Sequence, residues 1–527
     1  MNDLNKNLAV FTLIVCTALG VFWLLSQPDV SLEPVLSTDV RPDAVSVEFS
    51  YSSDSETEVF KLSFPANAVP GERVIHFSNR EDYLRYLDRL SASGLSTLGR
   101  IDALLSVRIS EDVLSQLNPA MYGGGETFSY KVEQPLPPAE LNPELLAQLR
   151  AFGATARTIA GGFTGGNGSG VLVAVLDSGI QAHSYFDEVS IDSIDLTGKG
   201  ISGPGSDHGT AVASILVGAE GIASAADLLV IRVLDDQGIG TSFDVADGIV
   251  RAVDRGAQLI NLSLGVYQKI EVLQQAVQYA QAQDVVLIAA AGNDGYDYLP
   301  YPAAYPQVLS VTAVDGVRQQ AVFPNQSSAI DFAAPGVGIL TADEEQGMRS
   351  FSGTSAAAPF VTGTLAVLLS SDSALSSPEA IKLLKRYLDD AGPAGVDPDY
   401  GGGLLNWDRL HERNTTDVSD LALADIYLLP DAQPGTTMPI EVTVQNRGTR
   451  WLNSAKLTII AGEPEPLEFT IGTLAPGQTT TRTVYRQLPT MQSGEALEIA
   501  AQVLPEDMDA DVRPENNVKA VLFRPAQ

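Results

Sequence analysis

The chain has 527 residues, enough for two or three cores at the usual domain size of roughly 100 to 250 residues. Its 65 Asp and Glu against 32 Lys and Arg give a net charge of −33, which argues against nucleic acid as a partner because phosphate binding needs basic patches. The lone cysteine, Cys16, excludes an intramolecular disulfide, a cysteine zinc site and a paired-cysteine redox motif.

Residues 8–25 surround Cys16 and form an 18-residue run without a charge. As a helix this run measures about 27 Å, close to the ~30 Å hydrocarbon thickness of a bilayer. Lys6 precedes it and SQPDVSLEP follows, a charge order that places the remainder across the membrane. Residues 1–27 are therefore expected to be an uncleaved membrane anchor at the cell envelope. The rival expectation is a signal removed after the small residues 18–20, giving a secreted protein.

Residues 28–70 alternate short apolar runs (VSVEFSYS, EVFKLSF) with polar turns and receive no role. Over residues 71–135 the pattern sharpens: RVIHFS reads as a strand and EDYLRYLDRL puts Tyr83, Tyr86, Leu87 and Leu90 on one helical face. LLSVRIS, EDVLSQL and FSYKVEQ continue as strand, short helix and strand, a small α+β unit. The proline-rich stretch that follows marks residues 136–150 as a linker.

Residues 151–413 read as an α/β domain. The runs VLVAVL, LLVIRVL, LINLSL, VVLIAAA and VLSVTAV are apolar on both faces, as buried parallel strands require. SFDVADGIVRAVDRG and KIEVLQQAVQYAQAQ supply crossover helices, so the order predicts a doubly wound, mostly parallel sheet with ligands beyond the strands' carboxyl ends. From residue 417 to 527, about seven short alternating strands divided by turns such as NRG, APGQ and PENN predict an Ig-like β-sandwich. The acidic run EDMDAD within it reads as a solvated turn.

Four polar residues fall at ends of α/β elements. Asp177 closes VLVAVL, a place where aspartate is usually a turn former. His208 opens DHGTAVASILVG, a buried helix that would hold a base at a fixed angle, whereas His76 and His411 lie elsewhere and His183 sits in a loop. Asn293 ends VVLIAAAGN, where a turn asparagine or an oxyanion donor both fit. Ser355 stands at the start of the helix in FSGTSAAAPFVTG, whose free N–H groups favour an anionic intermediate. Ser350, Ser352 and Thr354 read as turn or capping residues, and Pro359 as early enough in the helix to be tolerated. The chain order Asp, His, Ser is that of subtilisin, unlike the chymotrypsin and α/β-hydrolase orders.

VAVLDSGI, DHGTAVASILVG, INLSLG, AAAGN and FSGTSAAAPFVTG, with YGGGLLN at 400–406, resemble the subtilisin-like serine peptidases, or subtilases, over about residues 150–410. The resemblance implies Asp177, His208 and Ser355 as a catalytic triad with Asn293 as oxyanion donor. It implies extended protein or peptide substrates paired with Gly238, Gly240, Ser263, Leu264 and Gly265, and a specificity pocket walled by Ala290, Ala291 and Gly292. No cofactor is required for that chemistry. Structural calcium occurs in the family, yet no loop here has the oxygen spacing that would locate it. Asp207 departs from the small residue usual before the histidine.

Residues 71–135 resemble the inhibitor-like propeptides of subtilases, which implies a self-processed zymogen. Residues 417–527 resemble the CARDB sandwich, which implies a spacer, or docking of substrate or of another envelope protein. A catalytically silent binding or adhesion protein is the alternative reading of the whole chain.

Overall fold

The computed structural model describes residues 35–36, 45–53, 56–64, 67–137, 149–161, 166–343, 346–428, 435–461, 465–487, 496–506 and 511–523. The expected anchor at residues 1–27 and most of the 136–150 linker lie outside them. The chain divides into two compact units, residues 1–70 and 71–527. In the first, the two runs without an assigned role form an antiparallel hairpin, Val45–Ser53 against Glu56–Phe64.

The second unit begins with the α+β segment. Helix Arg80–Ala92 starts at Asn79, whose side chain accepts from the Asp82 N–H, and it buries Tyr83, Tyr86 and Leu90. These pack with Ile75, Phe77, Val107 and Ile109 into a small core of their own. The strands Ala68–Phe77, Gly99–Ile101, Ser106–Ser110 and Gly124–Glu133 share one sheet with a fifth, Ile239–Thr241, contributed by the next domain.

That domain is built on a seven-stranded sheet. Its spatial order is Phe332–Pro335, Val308–Val314, Val286–Ala290, Leu259–Leu262, Leu172–Asp177, Asp227–Arg232 and Ile191–Asp195, and every neighbouring pair is parallel. Five of the seven were expected from their apolar runs. The two that were not are the edges: Ile191–Asp195 is interrupted by Asp192, Ser193 and Asp195, and Phe332–Pro335 is only four residues long.

One core lies on each face of the sheet. Helices Asp207–Leu216 and Thr354–Ser371 fill one side, and the crossover helices Ser242–Asp254 and Glu271–Ala282 fill the other. Thr354–Ser371 is apolar on all sides because it is buried on all sides. It is the one described helix long and apolar enough to cross a membrane, and 89% of it is buried inside the fold.

The C-terminal region is an antiparallel sandwich of two sheets. One holds Leu421–Leu428, Thr437–Asn446 and Thr479–Gln487, and the other Leu467–Ile471, Ala455–Ala461, Leu497–Pro505 and Val518–Phe523. Their inward residues, among them Leu421, Val442, Val444, Leu457, Ile499 and Val503, form its core. Only Glu506 and Asp511 of the acidic run are described. Asp511 accepts from the Leu421 N–H and the Asn517 side chain, so it anchors a strand start.

Candidate active site

Asp177 is the last residue of the interior strand Leu172–Asp177 and is fully buried. Its Oδ1 lies 2.8 Å from His208 Nδ1 and also accepts from the Ser178 N–H at 2.7 Å. Held this way, the imidazole presents Nε2 to the cleft. His208 is the second residue of helix Asp207–Leu216. The helix reaches the strand because Gly209 follows the histidine: a Cβ there would stand 2.1 Å from the Gly179 carbonyl oxygen. His183 serves a short turn instead, with Nδ1 accepting from the Tyr185 N–H.

Ser355 is the second residue of helix Thr354–Ser371, after Gly353. Gly353 has φ of +141°, and a side chain at that position would also press on Asn293 Nδ2 at 3.1 Å. The turn thus brings the helix that carries Ser355 onto the asparagine. Asn293 Oδ1 accepts from both the N–H and the hydroxyl of Thr354, each at 2.9 Å. With its oxygen so committed, the amide can only aim Nδ2 outward. Thr354 therefore orients the Asn293 amide, a role beyond the capping expected of it.

Pro359 is the sixth residue of the helix, past the first turn, and it has no N–H to give the Ser355 carbonyl. The Ser263 hydroxyl supplies that bond at 3.2 Å. Ser263 in turn accepts from Asn261, whose oxygen accepts from the Thr362 hydroxyl. All three residues are fully buried, so a closed polar network beneath the helix fixes the backbone of Ser355.

The tail of the α+β segment occupies the cleft. Residues 131–133 pair antiparallel with Ile239–Thr241 on one side. On the other, Glu133 exchanges both backbone hydrogen bonds with Gly265, at 3.0 and 2.8 Å. The Gln134 N–H continues to the Gly238 carbonyl at 3.0 Å. Asn293 Nδ2 then donates to the Leu136 carbonyl at 2.9 Å. The groove that holds this path, about 620 Å³, is lined by Pro135, Pro137, His208, Asn293 and Ser355 together. Leu136 and Pro137, read from the sequence as the start of a free linker, are thus part of the site. Ser355 Oγ, buried under this strand, has no hydrogen-bond partner among the described residues.

Of the expected substrate-pairing positions, Gly238, Gly240 and Gly265 bond the tail. The side chains of Ser263 and Leu264 turn away from it, the serine to the helix that carries Ser355 and the leucine into the core. Ala290 and Ala291 are buried, and Gly292 backs onto Asn325 and Tyr267. Asp207 is met by Arg349, whose guanidinium lies 3.5 Å from its carboxylate and donates to its carbonyl at 3.1 Å. Arg349 lies 142 positions away and no local pattern marks it. Among the described residues no group of three or more His, Cys, Asp or Glu is arranged to hold a metal ion.

Residues 168–403 match the Subtilase family and residues 418–521 match CARDB. Subtilisin Savinase of Lederbergia lenta is 33% identical over 245 residues, covering 45% of this chain and 90% of its own length. Subtilisin DY of Bacillus licheniformis is 33% identical over 252 residues, 46% of this chain and 91% of its own. Alkaline elastase YaB of Bacillus sp. (strain YaB) is 33% identical over 251 residues, and the match spans 65% of the elastase. With the aspartate block on a parallel sheet, the histidine and serine blocks on helices packed against it, and a CARDB sandwich following, the chain belongs to the subtilase family of serine peptidases.

Proposed function

We propose that this protein is a serine endopeptidase made as a zymogen, with Ser355 as nucleophile, His208 as general base and Asp177 as the group that orients it. The observation that carries this reading is a peptide carbonyl, that of Leu136, held 2.9 Å from Asn293 Nδ2 in the groove that also contains His208 and Ser355. An oxyanion would form where that oxygen sits.

As Ser355 Oγ adds to a substrate carbonyl, its proton passes to His208 Nε2, and Asp177 offsets the imidazolium charge. The charge growing on oxygen meets the Asn293 amide, which Thr354 holds in place before reaction, and the positive end of the serine helix. His208 gives the proton to the departing nitrogen, and water then splits the acyl ester by the same route. Backbone pairing with Gly238, Gly240 and Gly265 holds almost any extended segment. Residues 71–137 act as the propeptide, residues 8–25 hold the chain in a membrane with the peptidase outside the cytoplasm, and the CARDB domain docks substrate or an envelope partner.

The test is a chain carrying Pro135→Gly and Leu136→Gly, which loosens the tail. It is expected to hydrolyse unfolded casein and to bind an organophosphonate covalently, and the same chain with Ser355→Ala is expected to do neither. A folded protein silent in both assays refutes the peptidase reading.

A further inference from the structure

We propose that Tyr267 is a specificity-determining residue, a bar tied across the gap beside Ser355 that admits only small side chains on the residue before the cut. This deepens the peptidase reading and rests on it. Two chain segments form the gap. Strands Leu259–Leu262 and Val286–Ala290 are parallel neighbours, so the segments that leave them run side by side at one edge of the sheet. Both reach the helix of Ser355: the Ser263 hydroxyl donates to the Ser355 carbonyl at 3.2 Å, and the Gly292 N–H donates to the Thr354 hydroxyl at 3.1 Å. On the proposed mechanism, the residue whose carbonyl is attacked lies at the mouth of the gap between these segments, and its side chain enters there.

The gap is bridged two residues beyond its glycines. Tyr267, on the first segment, donates its hydroxyl to the carboxylate of Asp294 on the second. Asn325, fully buried, donates to the Tyr267 oxygen and to the Ala291 carbonyl, both at 2.9 Å, and accepts from the N–H groups of Asp294 and Tyr296 at 3.2 and 2.9 Å. Every donor and acceptor of that amide is thus engaged. The partly exposed Tyr296 and Tyr298 hold the Tyr267 ring from the solvent side, with centroids 5.2 and 5.3 Å away. Burial, with Asp294 beside it, pushes the phenol up, so the hydroxyl remains a donor.

The bar lies against the walls. A Cβ on Gly292 would stand 3.3 Å from the Tyr267 oxygen and 2.3 Å from Asn325 Nδ2, and a Cβ on Gly265 would stand 2.8 Å from Pro300 Cβ. The room that the two glycines leave is therefore already taken by Tyr267, Asn325 and Pro300. A methyl or hydroxymethyl group fits what remains. A benzyl group would have to displace Tyr267, leaving Asn325 short of a partner in the interior. A buried polar group left unpaired slows such a substrate by at least about 10-fold.

The experiment uses the full chain with Pro135→Gly and Leu136→Gly, which loosens the tail, and compares kcat/KM on two peptide anilides that differ only in ending with alanine or phenylalanine. Alanine is expected to be favoured by at least about 10-fold. Adding Tyr267→Ala should raise the phenylalanine-to-alanine ratio at least about 10-fold. A merely structural loss lowers both rates together and leaves the ratio where it was. Should Tyr267→Ala fail to fold, Tyr267→Phe keeps the ring, loses both ties, and should raise the ratio at least about 3-fold. A loosened chain that prefers phenylalanine, or a ratio that the folded variants do not move, overturns the proposal and leaves the peptidase reading standing. A chain that cuts neither anilide and takes up no organophosphonate removes the peptidase reading, and the proposal with it.

Discussion

Asp389 is a single fully buried carboxylate facing three guanidinium groups, and replacing it with asparagine is the sharpest test of how the peptidase and CARDB domains are joined. Arg318 Nη2 lies 2.8 Å from it, Arg447 Nε 3.2 Å and Arg409 Nη1 3.4 Å, while Asn406 Nδ2 donates at 2.8 Å. Arg447 directly follows the sandwich strand Thr437–Asn446, and the other groups belong to the peptidase side. Burial alone would raise this carboxyl. Arg447, Arg318 and Arg409 outweigh burial and hold it at about 2, against an ordinary 3.8.

A depression of nearly two pK units corresponds to about 2–3 kcal/mol, present above pH ~4 and lost as pH falls through about 2. Breaking a buried pair by removing one partner costs about 3–5 kcal/mol, because it strands the opposing charge. The two routes meet near ~3 kcal/mol. At roughly 2–4 °C per kcal/mol for a domain of this size, Asp389→Asn should lower the midpoint by about 6–12 °C at pH 7. Calorimetry on a Ser355→Ala background, which prevents self-digestion, reads this directly. The sandwich should also unfold as a separate, earlier transition. A loss below about 1 kcal/mol with one unsplit transition would refute the view that this carboxylate holds the domains together.

Three further outcomes are expected. Asn293→Leu should cut kcat by about 10²–10³ with KM little changed, a size known from the oxyanion asparagine of subtilisin itself; an unchanged kcat on peptide substrate removes Asn293 from the mechanism. Ser263→Ala strands the buried Ser355 carbonyl and should cost about 1–3 kcal/mol of stability, and adding Pro359→Ala, which restores a helical N–H, should recover much of it. Additive losses in the double variant would show that Ser263 does not replace the missing bond. Burial raises Asp397 to about 7, and its Oδ2 has no partner among the described residues. Its contribution is therefore intact below pH ~4 and is lost as pH rises through about 7, so Asp397→Asn should gain about 1–3 kcal/mol at pH 8 and nothing at pH 4. Urea unfolding at both pH values decides this, and a loss at pH 8 contradicts it.

The parts of the site legible in sequence are those where one element decides the outcome. A strand buried on both faces must be apolar until it ends, so Asp177 and the Gly292 and Asn293 pair stood out where the runs VLVAVL and VVLIAAA stop. The same holds for His208 and Ser355 at helix starts. The edge strand Ile191–Asp195 escaped because half of it faces solvent and its aspartates break the apolar pattern. The pairing positions Gly238, Gly240 and Gly265 were named by the resemblance, but which tail residue meets each of them escaped for a different reason. Gly265 and Glu133 bond through N–H and C=O groups that every residue has, so no side chain announces the register. Ser263 was placed by its motif at the substrate, yet its hydroxyl turns inward to a carbonyl orphaned by a proline 96 positions later.

Pairing of this kind constrains where selectivity can arise. The backbone bonds to Gly238 and Gly265 are the same before attack and in the tetrahedral state, so they strengthen binding of every extended segment without accelerating its cleavage. On the proposed mechanism the Asn293 amide, by contrast, gains as a substrate oxygen acquires charge, and it does so whatever residue follows. Neither group can tell an alanine from a proline after the cut. On that mechanism the distinction falls to the one event at the nitrogen itself, the proton returned by His208. A segment that satisfies the strand pairing and the oxyanion donor but fails at this nitrogen binds like a substrate and persists like an inhibitor.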